Sequence, residues 1–199
     1  PPLGGWLVTR ADGDRRHEIM EGIGKDLLAN GVRLLVVNPR GVGERVAPEN
    51  HLASDTVMIG RPLFSQMVWD VRQSVAWLGG RGVGDIALCG ENACGLLAVC
   101  AAVGTPVRGV ATSGLPSSFA VGLADRNPYP LWFYLPNVLK ALDAPQLVAL
   151  CPSPVLVQNP VGEGGQALAD AAAVFGDRGS VVAEGAGASL AAWVAKVLE

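Results

Sequence analysis

Apolar residues along this chain fall into two alternating patterns. Residues 32–37 (VRLLVV) form a near-continuous apolar run, as expected of a strand covered on both faces of a parallel sheet. Shorter runs at 5–9 (GWLVT), 85–89 (DIALC), 107–112 (VRGVAT), 154–158 (PVLVQ) and 180–183 (SVVA) read the same way. Between them the spacing becomes helical. Ile19, Met20, Ile23, Leu27 and Leu28 mark a helix over 18–30, ended by Asn30-Gly31. Met67, Val68, Val71, Val75 and Leu78 mark another over 65–78. Residues 96–103 are apolar on every side, which predicts a buried helix. Residues 166–175 and 189–198 are also helical in pattern, and 130–150 is partly helical and broken by prolines. Residues 38–44 read as a loop that continues, polar, to about residue 60. Strand and helix alternate throughout. The expected fold is therefore three-layer α/β/α, with a mostly parallel sheet of about six strands.

Composition narrows the function classes. The chain has 199 residues, enough for one domain with a full core. Half of them are hydrophobic and the mean hydropathy is +0.34, yet no apolar run reaches the roughly 20 residues of a membrane span. A net charge of -3 gives no reason to expect nucleic acid or an anionic membrane as partner. Cys89, Cys94, Cys100 and Cys151 lie in apolar contexts without a CxxC pair, so buried thiols are expected rather than a zinc site or a disulfide framework. No metal or cofactor is expected. The sequence opens on Pro1-Pro2 without a signal peptide or initiator Met, and reads as part of a longer protein whose compartment its start does not reveal.

The most informative stretch is Cys89-Gly90-Glu91-Asn92-Ala93-Cys94-Gly95. A strand, a tight turn and a helix opening on small residues is the layout of a nucleophile elbow. Such a turn needs small residues two positions either side of its centre, because strand and helix approach closely there. Gly90, Cys94 and Gly95 meet that need. The centre is Asn92, a residue that tolerates positive φ. Its amide nitrogen is delocalised into the carbonyl and is a poor nucleophile that no base can activate as it would a hydroxyl. The stretch also reads as a plain tight strand-to-helix connection.

With that turn the chain resembles the α/β-hydrolase superfamily, and within it the second domain of tandem acetylxylan-esterase-like proteins. The resemblance rests on residues 29–44 (ANGVRLLVVNPRGVGE), 68–102, 127–150 (NPYPLWFYLPNVLKALDAPQLVAL) and 152–160 (PSPVLVQNP). It implies an α/β-hydrolase fold lacking its first strands, an exposed edge strand where they would pair, and a secreted or periplasmic parent. It also implies a partner, the catalytic hydrolase domain of the same parent, and acetylated carbohydrate as the parent's substrate. It would place an acid after strand 154–158, where Gly162 stands with Glu163 beside it. It would place a histidine in residues 183–189 (AEGAGAS), which contain none. The chain's two histidines, His17 and His51, lie elsewhere and read as loop residues. The expectation is a degenerate, non-catalytic hydrolase domain with a vacant acid position at Gly162. The alternative is an ester hydrolase with a rearranged site, using Cys94, Ser113 or Ser117 with Glu163.

Other patterns are weaker. Cys94 as a thiol nucleophile lacks an activating base and is equally explained by packing. Residues 40–43 (RGVG) and 80–84 (GRGVG) miss the strand-then-helix order that dinucleotide binding requires. Asp12, Asp14, Glu18 and Glu21 alternate with basic residues and read as a solvated helix start. Trp132, Phe133 and Tyr134 read as core, or as a surface for a sugar ring or a neighbouring domain.

Overall fold

Parallel pairing accounts for the whole sheet. The structure, a computed structural model, describes residues 5–9, 23–42, 49–121, 129–168, 170–176, 181–184 and 189–199. Its strands are β1 (Gly5–Thr9), β2 (Arg33–Val37), β3 (Ile86–Glu91), β4 (Gly109–Ser113), β5 (Val155–Gln158) and β6 (Val181–Glu184). They form one sheet in the order β2-β1-β3-β4-β5-β6, every neighbouring pair parallel. The helices are α1 (Ile23–Ala29), α2 (Glu49–Met58), α3 (Leu63–Gly79), α4 (Ala93–Ala102), α5 (Ala144–Leu150), α6 (Ala171–Phe175) and α7 (Leu190–Leu198). Two single-turn 3-10 helices, Leu131–Phe133 and Val138–Lys140, lie between β4 and α5. Among the described residues no helix is long and apolar enough to cross a membrane.

Alternation along the central strands builds two cores. Ile86 and Leu88 of β3, Val110 of β4 and Val155 and Val157 of β5 face α3 and α4. Ala87, Cys89, Ala111 and Leu156 face the opposite way, toward Leu27 of α1 and Leu190, Ala191, Val194 and Leu198 of α7. The result is the three-layer α/β/α arrangement that the pattern predicts. On α3 the buried residues Leu63, Phe64, Met67, Val71, Val75 and Leu78 share one face. In α4 only Cys100 escapes full burial, because the helix is wedged between the sheet and α3. Arg72 of α3 donates to the last carbonyls of α4, those of Cys100, Ala101 and Val103 at 3.0, 3.3 and 2.5 Å. These carbonyls lack intrahelical partners, and the guanidinium suits the negative end of the helix.

Two expectations change. The polar loop expected up to residue 60 contains α2, whose inward residues are mainly Leu52, Ala53 and Thr56. Few apolar positions mark that helix, so hydrophobic periodicity misses it. The helix expected over 166–175 shrinks to α6. Residues 160–168 instead close a small turn, with Val161 bridged antiparallel to Ala167 and the Leu168 N–H bonded to the Pro160 carbonyl at 2.9 Å. Glycines and Gln166 in this stretch favour the turn over a helix. The first part of the helix expected over 18–30 lies outside the described residues.

All four cysteines are unbridged, as expected, and Cys89, Cys94 and Cys151 are buried. Burial pushes the Cys89 thiol well up, with Glu91 adding to the effect. It raises Cys100 to about 12 against the opposing charge of Arg72.

Candidate functional site

The sheet order changes direction beside β1. The chain goes from β1 to β2 on one side and then crosses back to β3 on the other. In open α/β sheets that reversal opens a crevice at the carboxyl ends of the two flanking strands. The turn after β3 stands at that crevice.

Asn92 is the turn's single residue between β3 and α4, with φ +51° and ψ -128°. These angles lie outside the ordinary regions of an L-residue, so the turn is strained. Short contacts hold it. The Asn92 N–H donates to the Ser113 carbonyl at 2.8 Å, and its own carbonyl accepts the Gly95 N–H at 2.9 Å. The neighbouring small residues leave no room for more. A Cβ on Gly90 would stand 2.2 Å from the Cys94 carbonyl oxygen, and one on Gly95 would stand 2.8 Å from Leu115. The Asn92 side-chain oxygen lies over Gly114, where a Cβ would approach it to 2.5 Å. Asn92 is exposed, whereas Cys94, two residues on, is wholly buried.

The loops after β4 and β5 extend the sheet past its named strands. Pro116 bridges Val161 in parallel, the Ser117 N–H donates to the Val161 carbonyl at 2.8 Å, and the Gly114 N–H donates to the Gln158 carbonyl at 2.9 Å. Gly162 follows, buried, its N–H bonded to the Gln166 carbonyl at 2.8 Å. A Cβ there would meet the Gln166 amide nitrogen at 2.5 Å, so the Gln166 side chain occupies the space next to the expected acid position. Glu163 is exposed at the tip of this turn. Ser113 is half-buried at the end of β4, and Ser117 is buried. His51 is exposed on α2. His17 and residues 185–188 lie outside the described residues.

Three polar features are not singled out from the sequence. Arg40, of the RGVG loop after β2, is clamped by Asp70 of α3. Its Nε and backbone N–H donate to one carboxylate oxygen at 2.8 and 3.0 Å, and a terminal nitrogen donates to the other at 2.5 Å. Its remaining nitrogen donates to Gln66 at 2.9 Å. The guanidinium is thus engaged with α3 rather than presented to a phosphate. Its hydrogen bond to Asp70 raises the Arg40 pKa. Burial pushes Asp70 up, but the hydrogen bonds and charge of Arg40 outweigh it and hold the carboxyl below its usual range.

The second feature is Asp143, which caps α5 and reaches the segment after β4. Its carboxylate accepts the Ser118 hydroxyl at 2.6 Å, the Phe119 N–H at 2.7 Å and the Ala144 N–H at 2.8 Å. Gln146 returns a bond to the Asp143 N–H, completing a capping box. The pattern of Asp143 and Gln146 around Pro145 is a helix-start signal that spacing alone could have identified.

The third feature lies in the aromatic cluster. Trp132 and Phe133 are buried, Trp132 tilted against Phe64 and Phe133 stacked with Phe119 and Tyr129, so they serve as core. Tyr134 is half-buried and donates its hydroxyl to the Val121 carbonyl at 3.1 Å. The Trp132 indole N–H is buried without a hydrogen-bond partner.

Comparison with solved structures identifies the fold. An esterase of Pyrococcus furiosus superposes on 77% of this chain with a TM-score of 0.53 and 14% identity. An acylaminoacyl peptidase of Pyrococcus horikoshii covers 94% with a TM-score of 0.55 and 14% identity. A proline iminopeptidase of Mycobacterium smegmatis covers all of it with a TM-score of 0.54 and 15% identity. The chain has the α/β-hydrolase fold. It spans 59% of the esterase, 33% of the acylaminoacyl peptidase and 90% of the iminopeptidase. No protein-family model matches the sequence, and no curated protein matches it. Within this fold, the strained turn at Asn92 lies between β3, a central strand, and the buried helix α4 that follows it.

Proposed function

We propose that this chain is a catalytically degenerate α/β-hydrolase domain of an acetylxylan-esterase-like protein, which packs against a catalytic hydrolase domain and supports it. The observation that carries this reading is Asn92, a carboxamide at φ +51° where the chemistry of the fold calls for a hydroxyl or thiol. The strained turn keeps its geometry, while the side chain it presents cannot attack an ester.

Two further observations support it. Gly162 offers no carboxylate, and Gln166 lies against it. The sequence holds only His17 and His51, neither in the loop before the last helix, where the fold's general base belongs. Cys94 is a poor substitute because it is wholly buried in α4. A role in packing is favoured by Met58 and Ile59, which stand 83% and 70% exposed at the turn between α2 and α3. Exposed apolar side chains side by side are typical of a surface awaiting a partner.

Hydrolysis of an activated acetyl ester by the purified chain tests this reading, run beside Asn92→Ala and a thiol-blocked sample. All three should match an inert protein of similar size. Saturable turnover lost in Asn92→Ala or on thiol blocking would overturn it and restore the rearranged-esterase reading.

A further inference from the structure

Helix α3 carries an unusual solvent stripe. Trp69 and Trp77 stand 56% and 50% exposed, although large aromatic residues usually bury most of their surface. They are eight residues apart, so they lie on one side of the helix, roughly 12 Å apart along its axis. Between them, one turn from each, is the exposed Gln73. Ser65 and Ala76 complete the exposed positions nearby, and none of these is acidic.

A cation stands at each end. Arg81 lies over the Trp77 ring with its Cζ 3.7 Å from the ring centroid, and Trp77 is still half exposed. At the opposite end Arg61 and Trp69 line a cavity of about 280 Å³ together with Arg40, Gly60, Ser65 and Gln66. That volume is at the small end for ligand pockets and fits a single ring. The backbone of Arg61 is pinned by its N–H to Thr56 at 2.8 Å and by Gln66 on its carbonyl at 2.7 Å. Neither Arg61 nor Arg81 makes an ion pair among the described residues. The nearest acid on α3, Asp70, is already held by Arg40.

We propose that this stripe binds an acidic glycan, a chain of pyranose rings carrying carboxylates. The apolar C–H face of a pyranose stacks on each tryptophan, its hydroxyls meet the Gln73 amide, and its carboxylates meet Arg61 and Arg81. Two rings flanked by two cations suit a ligand that presents the same apolar face and carboxylate more than once. A protein partner would also use tryptophan and arginine, and the variants below separate the two occupants. A single-stranded nucleic acid also stacks and carries charge, but two cations on a chain of net charge -3 are few for a phosphate backbone. The proposal concerns binding alone and does not depend on whether the elbow is catalytic.

Calorimetric titration of the full chain with a galacturonate oligomer long enough to reach both rings tests it, beside galacturonate monomer, a neutral xylan oligomer and polyuridylate. The acidic oligomer should bind, weaken with salt, and exceed the monomer by more than tenfold because two plates act together. Trp69→Ala and Trp77→Ala should each weaken it about tenfold, the cost of one stacked ring. Trp69→Phe should keep most of the affinity, and Arg61→Gln with Arg81→Gln should remove the salt dependence. Both rings are half in solvent, so thermal melts of these variants should match the parent. Binding that ignores both alanine variants, equal binding of the neutral oligomer, or tighter binding of polyuridylate would overturn the proposal. So would a dimer of the chain that Trp69→Ala dissociates, which would make the stripe an interface between copies.

Discussion

Asn92 adopts backbone angles that most residues avoid, and its identity follows from that. An L-residue pays to hold φ +51°, and asparagine pays less than β-branched or bulky residues. Asn92→Val should therefore cost about 1–2 kcal/mol of stability, and Asn92→Gly close to nothing, both read from denaturant midpoints. If the proposed reading holds, introducing a hydroxyl with Asn92→Ser should leave the fold intact and still give no ester turnover, because the sequence has no histidine between β6 and the last helix to take its proton. Turnover in Asn92→Ser would show that a base had been overlooked. Asp70 gives a second test at this scale. Its pKa is held below the unfolded value of about 3.9, so its contribution is full above that pH and fades as pH falls through the lower folded value. Arg40 is 44% exposed, which limits the pair to about 1 kcal/mol. Asp70→Asn should lower stability at pH 7 by no more than that and leave it unchanged near pH 2, as melts at the two pH values would show.

Between elements, the close approach of β3 to α4 and the tie of Asp143 to the β4–α5 segment matter most. A methyl group on Gly90 would collide with backbone, which cannot swing aside as a side chain can. Gly90→Ala should therefore cost about 3 kcal/mol or more, near the limit of what a small domain survives. Asp143 holds a helix start and two groups of the preceding segment with one carboxylate. Asp143→Ala should cost about 2–3 kcal/mol, more than a simple cap, and Asp143→Asn less. Hydrogen exchange should show the Phe119 amide losing protection in the first variant. At this scale the sequence was uneven evidence. Strands β3 and β5 and helix α3 are legible because each buries apolar side chains at a regular period. Helix α2 is not, because it turns mainly Leu52, Ala53 and Thr56 inward. The turn at 162–166 is not, because it is made by backbone bonds that leave no hydrophobic pattern.

For the whole molecule, the parallel sheet and its three layers follow from strand–helix alternation, since right-handed crossovers leave few other arrangements. Strand order is less legible; it needs the reversal beside β1, which no local pattern encodes. The tight strand-to-helix turn at Asn92 could be located from its small residues. The clamp on Arg40 could not, because its two halves are 30 residues apart in sequence. Strand β2 ends the described sheet, and its residues Leu34 to Val37 are only half-buried, with no proline or inward charge to protect the edge. The isolated chain should therefore self-associate, and Val37→Lys should raise the monomer fraction in sedimentation, at some cost in thermal stability because Val37 packs against the core. An unchanged monomer fraction would mean that the edge is already covered. The close packing at Gly90 has a consequence for how such proteins are read across genomes. In a lineage that selects only for a folded chain, position 90 stays glycine while position 92 drifts among asparagine, aspartate and glycine. The glycine signature of a hydrolase thus outlives the enzyme, and a scan for it counts survivors of folding alongside survivors of catalysis.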